Sequence, residues 1–599
     1  MKKLIYLLVL TSFMFACTNI IITKGATTTK SNYLTYSADS YSLYGALYHF
    51  SAGVYPNGTM LDIYEWDTGK YLGKIKQAER TYNVIGNMNE FQLTIGETTF
   101  GGRLELQNKK GILDYGSLIY VTLQRAKNAK EAIQIMTSLV EEYGYYSTGE
   151  SFSIVDPNEA WILEMIGKGE GVKGAIWVAQ RIPDGYISAH ANQARITKIN
   201  FNDKNNFLYS SDVISFAREK GYFNGKDEDF SFSDVYNPLD FGGVRYCEAR
   251  VWSVFRRVNK HMEKYFDYIN FQSKERMPLY IKPDRLLSTY DIIQLMRDHY
   301  EGTELDMTKG VGAGLYCSPY RNRPLEWKYK DSTYFHERPI STQQTGFSFV
   351  AQMRSHLPNE VGGVLWFGVD DTYMTVYMPF YPNHYKVPEC LHEKTASLSK
   401  FSWNSAFWIF NVVSNFVYLR YSAMIDDLKK KQTQLEASFM ANQEMVEQHA
   451  LVLLKNSRKE AIEYLNSYSN ECVDITMREW KDLFEFLMIK YVDGADKNEY
   501  FRPTSKGYPE ETRKRIVEEN PNRFKVIEIP YDLEIAYFDL IREVKDKIKD
   551  KKYIDAIKQL NDALKWNYRK DDIQNYINII KRLEEEFNKS NLDILNIIK

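Results

Sequence analysis

The hydrophobic pattern of this 599-residue chain changes character near Leu398, and that change limits which folds the chain can adopt. Before this point, short alternating or β-branched runs between turn signals predict strands. Examples are residues 91–95, 152–155 and 160–163. Apolar residues recur at helical spacing over 115–143 and 289–300. Strands and helices in such blocks are typical of an α+β fold rather than of a parallel, doubly wound sheet.

After Leu398 the sequence predicts mainly long helices. An aromatic stretch at 401–421 comes first, and a stretch at 423–466 rich in Glu, Gln and Lys follows. Residues 493–509 are punctuated by Gly and Pro and are interpreted as a loop. Residues 531–599 predict about three amphipathic helices. We interpret this tail as a packing appendage, with a partner-binding module as the alternative.

Composition narrows the class of protein. Hydrophobic residues make up 44% and charged residues 26%, as in an ordered globular chain. The formal charge of −2 provides no basic field, so nucleic acid is not an expected partner. The five cysteines are odd in number and contain no C-x-x-C pair, which disfavours a zinc site or a dense disulfide frame. The oligomeric state stays open, and a homo-oligomer is one option.

Residues 1–16 have the parts of a secretory signal peptide. Lys2 and Lys3 precede an apolar stretch that ends at the small residue Ala16. The stretch is too short to span a bilayer, which takes about 20 apolar residues. The other apolar candidate, 401–421, contains three asparagines and is better interpreted as a buried aromatic helix. We therefore predict an exported protein, periplasmic or secreted, without a transmembrane span.

Removal of this leader would place Cys17 at the amino terminus with both a thiol and a free α-amine. A thiol becomes a good nucleophile when a base takes its proton, and an α-amine of pKa near 7.7–8.0 can do so near neutral pH. Nucleophile and base on one residue make a separate catalytic histidine unnecessary, and none of the nine histidines lies in a motif that requires one.

A lipoprotein processing site is the competing interpretation of the same residues. There the sulfur of Cys17 would carry lipid, so that the chain is lipid-anchored and its thiol cannot attack a substrate. Met14 and Phe15 fit such a site poorly, since it favours a branched aliphatic residue and then small residues before the cysteine. The local sequence alone favours neither the catalytic cysteine nor the lipid-anchored cysteine.

The residues after Cys17 carry a series of short blocks in a fixed order. The blocks are Ala16-Cys17-Thr18, Lys24-Gly25-Ala26-Thr27, Ala38-Asp39-Ser40, Met88-Asn89-Glu90, Gly96-Glu97-Thr98, Glu142-Tyr143-Gly144, Trp161-Ile162-Leu163-Glu164-Met165-Ile166-Gly167, Ala189-His190-Ala191-Asn192-Gln193-Ala194-Arg195-Ile196, Arg338-Pro339-Ile340-Ser341 and Gly363-Val364-Leu365-Trp366. In this order they resemble the cysteine dipeptidases of the amino-terminal-nucleophile (Ntn) hydrolase superfamily. The resemblance covers residues 17 to about 391, and the helical stretch to about residue 494 resembles larger members.

The resemblance implies a four-layer αββα sandwich with two facing antiparallel sheets and, here, a helical carboxy-terminal extension. From the resemblance together with the patterns above, we predict domains at 1–16 (signal peptide), 17–395 (catalytic), 396–526 (helical region) and 527–599 (helical appendage); the last 70 or so residues match no part of the family. The resemblance also implies that dipeptides are hydrolysed through an acyl-enzyme on Cys17, without metal or cofactor, with the α-amine as base. A linear-amide hydrolase of the bile-salt or penicillin-acylase type is a variant, and a lipid-anchored peptide-binding surface protein is the alternative from another class.

Three further catalytic roles follow from the resemblance. Asp39 matches the acidic residue that binds the amine of the nucleophile, although a turn or cap aspartate is the simpler interpretation. Asn192 matches an asparagine whose amide donates to the tetrahedral oxyanion, and it could otherwise be a turn residue. Arg250 aligns approximately with an arginine lining the nucleophile pocket, with a structural ion pair as the equal alternative.

Position 36 departs from the family. Many relatives carry an arginine three residues before the acidic residue, and this chain has Tyr36. A cation beside a thiol lowers its pKa and tyrosine does not, so Arg250 or another cation would have to substitute. Glu97 and Thr98 are the predicted substrate-binding residues. Thr98 falls near a second oxyanion position of acylase relatives, and Glu97 could meet the amine of a substrate.

Overall fold

A computed structural model describes residues 17–504, 507–526 and 531–598. The predicted signal peptide, 1–16, lies outside the described residues. Two compact units divide between Pro509 and Glu510, and each is described by itself. The predicted catalytic domain, 17–395, falls inside the first unit, whereas the predicted helical region, 396–526, extends past the boundary into the second unit.

The strands of the described residues are short to medium in length. They are β1 (Thr18–Ile22), β2 (Asn32–Asp39), β3 (His49–Phe50), β4 (Gly53–Val54), β5 (Met60–Tyr64), β6 (Tyr71–Lys76), β7 (Arg80–Thr81), β8 (Val84–Ile85), β9 (Met88–Asn89), β10 (Thr94–Gly101), β11 (Gly149–Val155), β12 (Ala160–Gly167), β13 (Ala175–Ile182), β14 (Ile187–His190), β15 (Phe207–Tyr209), β16 (Tyr280–Ile281), β17 (Glu326–Tyr329), β18 (Ser332–Phe335), β19 (Thr345–Met353), β20 (Gly363–Val369), β21 (Met378–Phe380), β22 (Asp496–Lys497) and β23 (Pro503–Thr504).

The helices lengthen toward the carboxy terminus. The α-helices are α1 (Tyr115–Leu123), α2 (Ala129–Tyr143), α3 (Ser215–Glu219), α4 (Phe232–Tyr236), α5 (Ala249–Val258), α6 (Phe266–Ile269), α7 (Thr289–Leu295), α8 (Asn359–Gly362), α9 (Ala406–Leu419), α10 (Tyr421–Leu454), α11 (Arg458–Tyr491), α12 (Glu510–Glu519), α13 (Tyr531–Lys549), α14 (Tyr553–Ala563) and α15 (Lys570–Ile598). A π-helical turn, Gly243–Glu248, leads directly into α5. Short 3₁₀ turns cover Lys24–Ala26, Leu104–Leu106, Asp227–Asp229, Lys260–Tyr265, Val311–Tyr316, Glu389–Leu391, Val492–Gly494 and Leu564–Trp566.

Two antiparallel sheets form the centre of the first unit. The seven-stranded sheet has the order β16-β14-β1-β2-β19-β20-β21, and the eight-stranded sheet has the order β15-β13-β12-β11-β10-β9-β8-β3. Every residue of β1, β12 and β19 is buried, so both faces of these strands are covered. This mixed architecture confirms the α+β class predicted from the blocks of strand and helix patterns.

Side chains from the two sheets touch where β1 lies near β10 and β11. The amide of Asn19 lies 3.2 Å from the hydroxyl of Ser153. On the other face of the eight-stranded sheet, α1 and α2 share a buried apolar cluster with strand residues that include Phe152, Trp161 and Leu163. One face of this sheet therefore meets the strand that follows Cys17, and the other meets helices.

Three local predictions differ from the structure. The pattern at 115–143 forms two helices, because the side chain of Asn128 caps a new helix by accepting from the backbone N–H of Glu131. The pattern at 423–466 is likewise divided, with Ser457 capping α11. The strand expected at 91–95 begins only at Thr94, since Gln92 has a φ of +64° and turns the chain.

Two buried ion pairs attach α10 to the rest of the first unit. Glu436 accepts from Arg297 at 2.5 and 3.0 Å, and Glu447 accepts from Arg354 at 2.6 and 2.7 Å. The aromatic stretch 401–421 contributes α9, which buries its apolar residues against the core. Of the helices that the structure describes, none combines the length and the apolarity needed to cross a bilayer.

The second unit has a small core of its own. Side chains of α13, α14 and α15 form it, among them Leu540, Val544, Leu560 and Ile577. These are the three amphipathic helices that the spacing of apolar residues predicted for the tail.

Candidate active site

Strand pairing places Cys17 beside the end of β2. In the antiparallel register of β1 and β2, Thr18 lies opposite Ser37 and Asn19 opposite Tyr36. Cys17 precedes Thr18 and therefore meets the chain near Asp39, whose backbone N–H donates to the sulfur. The Cys17 side chain is buried. Strand pairing therefore fixes the position of Cys17 directly before a central strand.

The thiol of Cys17 contacts two side chains that face it. It donates to Oε1 of Glu97 at 3.3 Å, and it lies 3.7 Å from the hydroxyl of Tyr36. The Tyr36 hydroxyl in turn donates to the same Glu97 oxygen at 2.5 Å. Sulfur, phenol and carboxylate form a closed triangle in which Glu97 accepts from both neighbours.

Electrostatics around Cys17 favour the neutral thiol. Burial is the largest influence and raises the pKa of Cys17 well above its usual value, and the negative charges of Glu97 and Asp39 raise it further. Hydrogen bonds from the Asp39 backbone and from Tyr36 act in the opposite direction. The surroundings of Cys17 therefore favour the protonated form of its thiol.

Glu150 lies behind Glu97 on the neighbouring strand. Thr99 pairs with Glu150 across β10 and β11, which puts Glu97 and Glu150 diagonally on one face. Glu150 accepts from the Thr99 hydroxyl at 2.8 Å. Burial and the charge of Glu97 raise the pKa of Glu150 well above its usual value, which favours its neutral form.

Asp39 occupies a buried pocket at the end of β2. Its carboxylate accepts from the Thr345 hydroxyl at 2.7 Å and from the Ser37 hydroxyl at 3.3 Å. Burial raises the pKa of Asp39 to about 7, while these hydrogen bonds and the charges of Arg338 and Arg250 hold it from rising further. A carboxyl group with this pKa responds strongly to any new cation beside it.

Arg250 connects the nucleophile to the loop after β14. Its guanidinium donates to the carbonyl of Cys17 at 2.8 Å, to the Thr18 hydroxyl at 2.8 Å and to the carbonyl of Ala191 at 3.1 Å. It also donates to Oδ1 of Asn192 at 2.9 Å and to the carbonyl of Tyr246 at 2.6 Å. Arg250 is fully buried. These five bonds make it an anchor of the backbone at Cys17 rather than a cation aimed at the sulfur.

Asn192 stands in a strained position suited to its side chain. It has a φ of +65°, a left-handed conformation that asparagine tolerates better than most residues. Arg250 fixes its Oδ1, which leaves the amide nitrogen as donor, and one N–H goes to the carbonyl of Thr99 at 2.8 Å. The second N–H of the same amide is the one that could meet an oxyanion.

The loop that carries Asn192 is held by Glu164 of β12. Glu164 accepts from the backbone N–H of Arg195 at 2.5 Å, from that of Ile196 at 3.2 Å and from the His190 ring at 3.3 Å. Arg195 also forms a buried ion pair with Glu248 at 2.8 Å. Two blocks that are separate in the sequence, around Glu164 and around Asn192, are therefore joined in space.

The structure gathers five of the six predicted site residues around one point. Cys17 contacts Glu97 directly and Asp39 through its backbone, and Arg250 ties Cys17 to Asn192. Thr98 follows Glu97 on β10, and by register it shares a face with Gly96 and Ser153, the face on which Ser153 contacts Asn19 of β1. Its side chain is fully buried.

Sequence reasoning missed the part that Tyr36 and Glu150 play. Tyr36 was noticed only as a missing cation, whereas its hydroxyl is bonded to Glu97 beside the thiol. A glutamate inside the otherwise apolar and small-residue strand Gly149–Val155 was the available signal for Glu150, because burying an ionisable group is costly without a purpose. Arg338, also buried, acts electrostatically on Asp39 and was quoted only as part of a block.

Comparison with known proteins bears on the chemistry of this site. Residues 47–434 match the model of a family described as Peptidase family C69. The chain is similar to a "Probable dipeptidase" of Latilactobacillus sakei, with 27% identity over 315 residues that cover 53% of this chain and 59% of that relative. A "Probable dipeptidase" of Salmonella dublin is 27% identical over 48% of this chain and 61% of its own length. "Dipeptidase A" of Lactobacillus helveticus is 25% identical over 54% and 62%. The chain thus spans about three-fifths of the length of these curated relatives.

Proposed function

This chain belongs to peptidase family C69, and we propose that it is an exported cysteine dipeptidase whose nucleophile is Cys17, exposed as the amino-terminal residue when the leader is removed. The observation that carries the proposal is the anchoring of Cys17 by Arg250, which also fixes the Asn192 amide. Nucleophile and oxyanion donor are thereby held by one guanidinium. The dipeptidase names of the relatives support the substrate class.

The proposed reaction uses the two groups of Cys17 in turn. The α-amine takes the thiol proton, and the sulfur attacks the scissile carbonyl carbon to form a tetrahedral oxyanion. Asn192 donates its second amide N–H to this oxyanion, an interaction whose loss in other enzymes costs about 10²–10³ in kcat. The amine then gives its proton to the departing amino acid, and water releases the acyl group from the sulfur.

Asp39 would hold the newly formed amino terminus. Its buried carboxylate lies where the Cys17 backbone meets the end of β2, and it acts electrostatically on the thiol. An ammonium group beside Asp39 would lower the pKa of that carboxyl and keep it charged, because opposite charges stabilise each other in a buried site. Processing between Ala16 and Cys17 is therefore part of the proposal, since an α-amine in amide linkage cannot act as a base.

The fold proposed for the first unit is the four-layer αββα sandwich of Ntn hydrolases. The contact of Asn19 with Ser153 between the sheets and the cluster of α1 and α2 on the eight-stranded sheet support it. In that arrangement the nucleophile begins a central strand, as Cys17 precedes β1.

Dipeptides fit the site better than bulky apolar acyl groups do. Glu97 and Glu150 place a negative charge and a neutral acid beside the thiol. A bile acid or a penicillin side chain would leave these polar groups buried without partners, which is unfavourable. This contrast favours peptide hydrolysis over the linear-amide variant.

Intact mass and turnover of the exported protein test the proposal together. We expect a mature mass that begins at an unmodified Cys17, and release of amino acids from some members of a dipeptide panel. Cys17→Ala should abolish this release, whereas Cys472→Ala, which removes another buried cysteine on α11, should retain it. A diacylglyceryl adduct on Cys17, or turnover by Cys17→Ala, would contradict the mechanism.

A further inference from the structure

The acidic surroundings of Cys17 do not suit a nucleophile that must become an anion. Its sulfur lies 3.3 Å from Glu97, and the charges of Glu97 and Asp39 both oppose ionisation. Tyr36 stands at the position where many relatives carry a cation, and it is bonded to the same carboxylate. A positive charge that enters this site, in addition to the α-amine of Cys17, would favour formation of the thiolate.

Arg250 does not supply that charge to the sulfur. Its donors go to the carbonyls of Cys17, Ala191 and Tyr246 and to the side chains of Thr18 and Asn192. The charges of Glu97 and Asp39 dominate the field at the thiol instead, and both are negative.

A dipeptide carries a positive charge at a fixed distance from the bond to be cut. Standard bond lengths and angles put its amino nitrogen about 2.5 Å from the first carbonyl carbon. During attack on that carbon, the ammonium group must lie within a few ångströms of the sulfur. Oε1 of Glu97, which is 3.3 Å from the sulfur, is within reach of an ammonium group held in that way.

We propose that the substrate ammonium group binds Glu97 beside Cys17 and that this bound cation is what allows the thiol to ionise. The inference rests on the proposed dipeptidase function and deepens it, since the substrate then completes the electrostatics of its own catalytic site. The charge that relatives place in the protein at position 36 is delivered here by the substrate.

Glu150 and Tyr36 set the charge and the orientation of Glu97 so that it can pair with a single cation. Burial and the charge of Glu97 raise the pKa of Glu150 and favour its neutral form, so the two neighbouring carboxyl groups together carry at most one negative charge. Tyr36 donates to Oε1 of Glu97 at 2.5 Å, which keeps the carboxylate oriented toward the sulfur. One ammonium group balances one carboxylate, whereas two ionised carboxylates would leave an excess charge beside the thiolate.

The proton balance of this activation is simple. On binding, the ammonium group of the substrate keeps its protons and pairs with Glu97. The thiol proton passes to the α-amine of Cys17, and the sulfur keeps the electron pair of the S–H bond. Among the described residues, the titratable groups that face the sulfur or the Glu97 and Glu150 carboxyls are Glu97 on β10, Glu150 on β11, Tyr36 and Asp39 on β2, Asp67 before β6, Tyr115 on α1 and Tyr145 after α2. Arg250 on α5 is charged and contacts the carbonyl of Cys17.

The test measures thiolate formation directly, without turnover. The far-ultraviolet thiolate absorbance of the processed protein is titrated against pH, and the same titration of Cys17→Ser is subtracted to remove the other cysteines and the tyrosines. Alaninol serves as the probe, because it has an ammonium group but no carbonyl to cleave. Propylene glycol, in which a hydroxyl replaces that amine, is the matched neutral control.

Alaninol should lower the midpoint of the Cys17 titration by about 1–3 pH units, the effect of an opposite charge within about 4–6 Å. Propylene glycol should leave the midpoint unchanged. An unchanged midpoint at saturating alaninol, or an equal shift with propylene glycol, would overturn the inference.

Two variants locate the effect. In Glu97→Gln the midpoint without a ligand should already be lower than in the wild type, and alaninol should no longer shift it. In Glu150→Gln, which preserves a neutral group, the shift should persist. A full alaninol shift in Glu97→Gln would overturn the assignment of the amine to this residue. Circular dichroism of each variant checks that the fold is intact.

Dipeptide hydrolysis by the same preparation reports separately on the proposed function. Hydrolysis without an alaninol shift overturns this inference alone. An alaninol shift without hydrolysis of any dipeptide supports the inference and overturns the dipeptidase proposal.

Discussion

Replacement of Arg250 by lysine distinguishes the two roles that the sequence allowed for this residue, a cation that lines the nucleophile pocket and a structural residue. Lysine keeps the positive charge but offers three donors from one nitrogen, while the guanidinium of Arg250 donates to five acceptors in a fully buried position. If Arg250 mattered only as a charge near the thiol, Arg250→Lys would be nearly silent. If it anchors the Cys17 backbone and the Asn192 amide, the variant should fail in both stability and rate.

The structure gives the expected magnitude. At least two of the five acceptors lose their donor in Arg250→Lys, and a buried polar group left unpaired costs about 1–3 kcal/mol. The free energy of unfolding should therefore fall by about 2–6 kcal/mol. Release of Asn192 from its fixed orientation should also lower kcat by about 10²–10³, the range seen when an oxyanion donor is lost.

Urea unfolding followed by tryptophan fluorescence measures the stability change, because Trp252 lies on α5 two residues from Arg250. Dipeptide turnover measures the rate. Arg257→Lys is the matched control, since Arg257 lies on the same helix, is partly exposed and donates to the carbonyl of Gln294 instead of to the site. The anchoring role would be refuted if Arg250→Lys had a free energy of unfolding within about 1 kcal/mol of the wild type and a kcat within about tenfold of it.

Three further outcomes follow from the same structure. Cys17→Ala should leave urea unfolding nearly unchanged while abolishing dipeptide turnover, because the removed sulfur is one small buried group; loss of the folded state would contradict this. In the full, unprocessed chain the folded pKa of Asp39 is raised to about 7, against about 3.9 unfolded, so the folded state holds a proton that the unfolded chain releases. This proton contributes about 4 kcal/mol to the free energy of unfolding below about pH 4, and the contribution is lost as the pH rises to about 7. In urea unfolding, the stability of the wild type should therefore decline over this pH range relative to that of Asp39→Asn. Parallel stability profiles of the two proteins would contradict the raised pKa. Glu447→Gln should lower the free energy of unfolding by about 3–5 kcal/mol, because it leaves the buried charge of Arg354 uncompensated, and a loss below about 1 kcal/mol would show that water reaches this pair.

Local patterns in the sequence determined the elements. The spacing of apolar residues predicted the three helices of the tail, and the short runs at 152–155 and 160–163 predicted two strands of the eight-stranded sheet. These properties depend on neighbours within a few residues, so a periodicity argument can reach them. Where a polar residue inside a periodic stretch acts as a cap, as Asn128 does, the pattern alone merged two helices into one.

The sequence predicted some of the residues that form the candidate site. Cys17, Asp39, Asn192, Arg250 and Glu97 were identified from short blocks and their order, and the structure brings them together. What each residue does was not accessible. Arg250 was expected to line the pocket as a cation, and only its hydrogen bonds identify it as the anchor of the Cys17 backbone.

Tertiary structure alone decided which carboxyl groups meet the thiol. Glu97 is 80 residues from Cys17 and Arg250 is 233 residues away, so strand register and the contact between sheets, rather than local spacing, set their distances. The same register sets Glu150 diagonally across from Glu97 on the neighbouring strand. The sequence by itself established a cysteine that could be a nucleophile and the family to which it points. Folding decided that this cysteine lies buried between the acidic side chains Glu97 and Asp39, because only the packed interior fixes the charges around a buried sulfur.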